Sequence, residues 1–168
     1  MVGVNLSARQ LRQPNFVEDV AGLLKEIGLN PRSLNFKVAE GVAMKDARST
    51  FITLRELKSL GVQLTINNFG TGYSSLGYLN RFPLDFLEID RSFVGRLWED
   101  STDAAVVSGV ISLAHALGLT ASAEGAETFE QVVQLRRLGC DLAWGNYFSK
   151  PLPGEATLAL LASQAEAY

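Results

Sequence analysis

With 168 residues, 47% hydrophobic and 20% charged, the chain has enough apolar material for one sizeable core and reads as a single domain. Fifteen basic against eighteen acidic residues leave a net charge of -3, without the clustered Lys and Arg that nucleic acid or an anionic membrane surface requires, so neither is an expected partner. A single cysteine, Cys140, excludes an intrachain disulfide, no apolar run approaches the roughly 18 residues of a membrane span, and no signal-peptide pattern follows Met1, so the expected setting is the cytoplasm.

In chain order, a strand is expected at Val2–Leu6. A helix follows over Phe16–Ile27, with Phe16, Val20, Leu23, Leu24 and Ile27 forming its apolar stripe. Next come a strand at Leu34–Ala39, a helix over Thr50–Leu60 and strands at Val62–Ile66 and Asp85–Ile89. The remainder reads as helix Asp103–Leu117, strand Leu119–Ala123, helix Thr128–Leu138, strand Cys140–Ala143 and helix Glu155–Ala162. Gly28, Gly61, Gly118 and Gly139 each sit where a helix stops and a strand begins, the place a C-terminal glycine favours. Strands alternating with helices imply a parallel sheet. No repeat, linker or low-complexity tract interrupts this punctuation.

The run Thr65-Ile66-Asn67-Asn68-Phe69-Gly70-Thr71-Gly72-Tyr73-Ser74-Ser75-Leu76 resembles the AIDDFGTGYSSL segment of EAL domains, the phosphodiesterases that linearise the bacterial second messenger cyclic di-GMP. Val4–Leu11, Phe82–Asp85, Ile89–Phe93, Leu113–His115, Ala123–Thr128, Leu138–Asp141 and Phe148–Pro151 follow the family in order. The EAL signature itself, and the family's first two strands, belong upstream of Val4. The resemblance therefore implies an EAL-type TIM-like (β/α) barrel, incomplete at the N-terminus, with about six of eight strands present and functional groups at the strands' carboxyl ends. Residues 1–168 read as a single truncated, degenerate EAL domain.

Position by position, the resemblance implies a site stripped of its charges. Asn5 matches an asparagine that coordinates metal in the family, or else it only caps the chain. Lys37 stands where the EITE motif has its first glutamate, a metal ligand; a protonated lysine repels a hard cation, and the alternative is a lysine snorkelling to solvent. Asn67 and Asn68, read as part of a turn, replace two metal-holding aspartates. An amide oxygen brings no negative charge to balance a divalent ion or support a metal-bound hydroxide. Glu88 takes the place of the catalytic lysine of KIDRSF, and Trp144 that of the glutamine in the QGYxFSRP-type segment. Glu124 and Glu127 keep the family's carboxylates, and Glu40 keeps the second glutamate of EITE, which in relatives anchors the Gly70-Thr71-Gly72 loop; retention is functional or merely structural.

The magnesium or manganese used by the family is thus expected to be lost, and catalysis with it. Restoring Glu, Asp, Asp and Lys at positions 37, 67, 68 and 88 is not expected to recover turnover, because the signature glutamate lies outside these residues. The exchange of charge between Lys37 and Glu88 is reciprocal. Their strands are separated by one other, and alternate strands share a layer of a barrel, so an ion pair that keeps the mouth neutral is expected.

Other motifs carry less. Gly70-x-Gly72 lacks the spacing of a phosphate-binding glycine loop. His115 has no second ligand at metal spacing and is expected to be a packed or half-buried structural residue of its apolar helix; Trp98-Glu99-Asp100 reads as a solvated connection. The resulting expectation is an inactive domain with a regulatory or protein-interaction role in cyclic di-GMP-type signalling, through an unknown protein partner and a surface near Gly70–Leu79 that mediates pairing in the family. The alternative, metal-independent binding of cyclic di-GMP with Lys37 on phosphate and Trp144 on guanine, is disfavoured. Open sheet edges at Val2–Leu6 and Cys140–Ala143, bare of proline and repeated lysine, make a dimer or higher homo-oligomer the expected state, formed either by joining those edges or through the pairing surface near Gly70–Leu79 that the resemblance implies.

Overall fold

The computed structural model describes residues 1–72, 76–97 and 101–165, so Tyr73-Ser74-Ser75 and the Trp98-Glu99-Asp100 connection lie outside the described residues. Six short apolar runs become strands β1 (Val2–Leu6), β2 (Leu34–Ala39), β3 (Gln63–Phe69), β4 (Phe86–Ile89), β5 (Thr120–Glu124) and β6 (Leu142–Trp144). They pair in sequence order, every neighbour parallel. Each connection carries helix: α1 (Ala8–Leu11) and α2 (Phe16–Ile27) after β1, α3 (Glu40–Lys45) and α4 (Ala47–Ser59) after β2, and α5 (Leu76–Leu79) after β3. Beyond β4 come α6 (Arg91–Gly95) and α7 (Ser101–Ala116), then α8 (Phe129–Arg137) after β5 and α9 (Gly154–Ala165) after β6. No described helix is long and apolar enough to cross a membrane.

Because side chains alternate across a strand, each strand divides its residues between two faces. Phe36, Val38, Leu64, Ile66, Leu87, Ile89, Ala121 and Ala123 form one buried cluster with Leu54 and Leu57 of α4, Val107 and Ile111 of α7 and Leu135 of α8. Full burial of each large aliphatic side chain contributes about 1.5–3 kcal/mol. The residues between them, Lys37, Thr65, Glu88 and Ser122, line the opposite face, and that polar face positions the site.

Helix ends follow the glycine punctuation: Gly28, Gly61, Gly118 and Gly139 all have positive φ. The short helices α1, α3, α5 and α6 were not legible from periodicity, since four to six residues complete barely more than one turn. Four strands, β3 to β6, begin later than their apolar runs, and for β4 and β6 the reason is a carboxylate. Asp85 donates its N–H to Leu64 O while its Oδ2 accepts Leu64 N–H. Asp141 does the same with Ala121. In both places a carboxylate replaces the backbone carbonyl of the ladder, so regular pairing starts at Phe86 and at Leu142.

Three strands run further than expected: β5 and β6 by one residue each, and β3 by three. β3 does not end at Ile66 but carries Asn67 and Asn68 within it, through a register irregularity between Ile66 and Phe69. Asn68 absorbs the irregularity at φ 55°, a left-handed conformation that asparagine tolerates better than most residues, and buried Phe69 regains pairing with Ile89. His115 is also corrected: it is exposed rather than packed, with Nε2 2.8 Å from Asp141 Oδ2. The pairing draws the ring towards the start of β6, and hydrogen bonds from His115 and Ala121 outweigh the effect of burial to hold the Asp141 carboxyl below its ordinary range.

At the far edge, Gly145 ends β6 against the backbone of Ala126, which a Cβ would overlap. Neither partner there is a flexible side chain. Gly145→Ala is expected to destabilise the fold by about 3 kcal/mol, the upper end of ordinary overpacking costs. Urea unfolding would measure it, and a loss below about 1 kcal/mol would contradict this reading of the contact.

β1 and β6 each have a strand on one side only among the described residues. Val2 is 63% exposed and Leu142 40%. On α9, Leu158 and Leu161 are exposed as well.

Candidate functional site

The carboxyl ends of the strands bring most of the sequence-identified residues to one mouth. Asn5 of β1 is in register with Lys37 of β2, and Lys37 with Thr65 of β3. Lys37 reaches across Thr65 to β4, where its Nζ lies 2.7 Å from Glu88 Oε2. Glu88 is fully buried and Lys37 nearly so, with side-chain exposures of 0% and 17%. The expected ion pair is therefore present, and it is an internal one.

Two further residues fix the lysine. Its Nζ sits 4.0 Å from the centre of the Trp144 ring, so the ammonium is held between a carboxylate and an aromatic face. Gly3, on β1, leaves the space that the aliphatic part of Lys37 crosses; a Cβ there would come within 2.8 Å of Lys37 Cε. Gly3 was missed in the sequence. The signal was a glycine inside a short strand, which marks a close approach.

Burial raises the pKa of Glu88, Lys37 opposes the shift, and the neighbouring Glu124 adds to it, leaving the group near 7. Glu88 Oε1 has no hydrogen-bond partner among the described residues when the acid is ionised. Protonated, it has a hydrogen to share with Glu124, which is why that neighbour favours the neutral form. The mouth is thus not simply neutral, as expected from one pair, because Glu124 and Asp90 bring further carboxylates to it.

A pH dependence follows. The folded state holds the Glu88 proton more tightly than the unfolded chain does, so the stability this group contributes is complete below pH 4.5 and is lost as pH rises through about 7. Glu88→Gln has no such proton. Between pH 4.5 and 7 the native protein is expected to lose on the order of 2–3 kcal/mol relative to this variant. Denaturant midpoints at pH 5 and 7 test it; parallel pH profiles would contradict the assignment.

The two amides turn to different partners. Asn67 Nδ2 faces Asn5 Oδ1 at 3.5 Å, a long contact, and buried Asn67 Oδ1 has no partner among the described residues. Asn68 Nδ2 donates to Asp90 Oδ2 at 2.7 Å. Asp90 is the second residue that the sequence reading overlooked. It follows β4 directly and accepts Ser92 N–H at 2.8 Å as the cap of α6, a pattern visible in Asp90-Arg91-Ser92. Burial works against its ionisation, yet hydrogen bonds from Ser92 and Asn68 and the charge of Arg91 outweigh it and keep the carboxyl below its ordinary range.

Glu40, buried at the start of α3, accepts the N–H groups of Gly70 at 3.0 Å and Gly72 at 3.3 Å through one oxygen. It thereby pins the loop after β3. Glu124 ends β5 half-buried beside Glu88. Glu127 is exposed before α8; its N–H donates to Gln131, and its carboxylate is not drawn into the cluster. Among the described residues, no group of three or more His, Cys, Asp or Glu side chains is placed to hold a metal ion.

A parallel βα array with its polar cluster at the strands' carboxyl ends defines an incomplete TIM-like barrel. The chain belongs to the EAL domain family, which matches residues 1–151. It is 43% identical over 161 residues to the bifunctional diguanylate cyclase/cyclic di-GMP phosphodiesterase MucR of Pseudomonas aeruginosa, covering 96% of this chain and 24% of that protein. Among solved structures it is similar to the PaMucR phosphodiesterase in complex with c-di-GMP, with TM-score 0.89 and 42% identity over 92% of this chain and 63% of the other. It is likewise similar to the EAL domain of Mycobacterium smegmatis DcpA, with TM-score 0.91 and 44% identity over 96% of this chain and 72% of the other. The chain spans about a quarter of the length of MucR.

Proposed function

We propose that this chain is a catalytically inactive EAL domain with a regulatory, protein-interaction role in bacterial cyclic di-GMP signalling, acting in the cytoplasm. The observation that carries this reading is the Lys37 ammonium, seated 2.7 Å from Glu88 Oε2 and against the Trp144 ring. A cation of the protein's own occupies the middle of the mouth. As a donor set for magnesium or manganese the residues fit poorly: Asn67 and Asn68 are neutral, both amide nitrogens point at oxygens, and Lys37 repels a second cation. Glu88, in place of a lysine, offers no positive charge to a phosphate.

Metal-independent reception of cyclic di-GMP is the second reading, favoured only by an arginine-like role for Lys37 and a stacking role for Trp144. Each of those groups already engages the other, so ligand binding would have to break a buried ion pair first. Calorimetry with cyclic di-GMP in chelator, and again with magnesium, separates the readings. No heat in either supports the inactive, non-binding domain; heat in chelator supports the receptor; heat only with magnesium, accompanied by linear product, supports an enzyme.

Self-association is part of the proposal. Among the described residues β1 and β6 are paired on one side only and expose apolar side chains, Val2 and Leu142 among them, which a second copy of this chain would cover. Light scattering at micromolar concentration is expected to give a dimer or larger species. A stable monomer there would refute it.

A further inference from the structure

Away from the strand ends, α4 and the segment that includes α5 border a surface cavity of about 500 Å³ lined by Arg48, Phe51, Tyr78 and Arg81. Arg48, Phe51 and Arg55 recur at spacings of three and four along α4, which places them on one stripe of the helix. Arg55 already covers the Phe51 ring, its guanidinium 5.9 Å from the ring centre. Across the cavity, Tyr78 lies in α5, and the N–H of Arg81 donates to Tyr78 O at 2.9 Å, holding the arginine in the turn that follows. The guanidiniums of Arg48 and Arg81 are exposed, and no described carboxylate pairs with either. That is not for want of acids: the chain has eighteen acidic residues against fifteen basic ones.

We propose that this cavity binds a small planar anion of the nucleoside monophosphate class, with Arg48 and Arg81 on the phosphate and Phe51 and Tyr78 flanking the base. Guanidinium groups present planar forks of N–H donors that match phosphate oxygens two at a time. Aromatic rings accept any base on their faces. The volume falls within the range of about 300–1,000 Å³ typical of small-molecule sites. Its residues come from helices and turns, whereas the Lys37–Glu88 pair belongs to the strand ends, so this inference does not rest on the state of that pair, although Tyr78 lies within the Gly70–Leu79 surface expected to mediate pairing.

Calorimetric titration of the 168-residue protein with adenosine and guanosine monophosphate tests it, with inorganic phosphate and unphosphorylated guanosine as separate arms. Saturable nucleotide binding is expected, with phosphate and guanosine each at least about tenfold weaker and affinity falling as salt rises. Removing both cations in Arg48→Ala/Arg81→Ala should weaken nucleotide binding by at least about tenfold. Tyr78→Ala should weaken it several-fold while leaving phosphate unaffected. These side chains are exposed, and an unchanged melting temperature would confirm that the variants fold. No binding at millimolar nucleotide, an unchanged affinity in the double arginine variant, or phosphate binding as tightly as nucleotide would each overturn the proposal, the last by showing an adventitious ion only.

Discussion

Incubated with cyclic di-GMP and either magnesium or manganese, the purified protein is expected to yield no linear dinucleotide above a protein-free control. Hydrolysis assisted by metal depends on an ion that turns bound water into a nucleophile at neutral pH and neutralises charge as the bond breaks. Zinc lowers the pKa of water by roughly 8 units, on the order of 11 kcal/mol, and other divalent ions act in the same direction to a smaller extent. On the reading proposed above, the four positions that correspond to the family's ligands and catalytic lysine hold Lys37, Asn67, Asn68 and Glu88. The lysine is pinned to Glu88, and Asn68 is committed to Asp90. On that reading no group among the described residues supplies this assistance, and the expected effect on rate is many orders of magnitude rather than a partial loss. Chromatography of reaction mixtures over hours decides it, and linear product that scales with protein concentration would reverse the reading of the site.

Removing Lys37 alone is expected to be the most damaging of the side-chain truncations at the mouth. Lys37→Met leaves Glu88 fully buried with no cation beside it, and forcing that carboxylate to ionise, at a pH well above 7, typically costs about 3–5 kcal/mol. At pH 6 the same variant should lose less, because Glu88, with a pKa already near 7, escapes by taking a proton. The double variant Lys37→Met/Glu88→Leu should recover most of the loss at either pH, since apolar residues of similar volume replace a buried pair at little net cost. Urea unfolding of the native protein, both single variants and the double variant completes the cycle. A coupling below about 0.5 kcal/mol would mean that the pair contributes no more than an exposed bridge does.

Both results bear on whether the charge exchange is an adaptation of the fold. A barrel mouth that lost its ions would leave carboxylates facing one another. Lys37 offsets one of them directly, while Asn67 and Asn68 remove two negative charges outright.

Much of this was legible in the chain itself. Strand and helix periodicity, with Gly28, Gly61, Gly118 and Gly139 between them, determined the alternating βα order because such signals act over a few neighbouring residues. The Lys37–Glu88 pair could also be read, since a reciprocal change of sign on alternate strands has few other physical explanations. What the tertiary structure alone decided depends on distance and burial between segments far apart in sequence. Trp144 meets Lys37 because β6 brings the ring to the lysine whose aliphatic part Gly3 lets through. Asn67 and Asn68 stay in the strand because pairing of Phe69 with Ile89 outweighs the local preference of Asn-Asn for a turn. Asp85 and Asp141 delay their strands because their carboxylates reach backbone N–H groups some 20 residues away in the chain. Glu88 titrates near neutrality for a reason no spacing contains: complete exclusion from water, beside one cation and one further carboxylate.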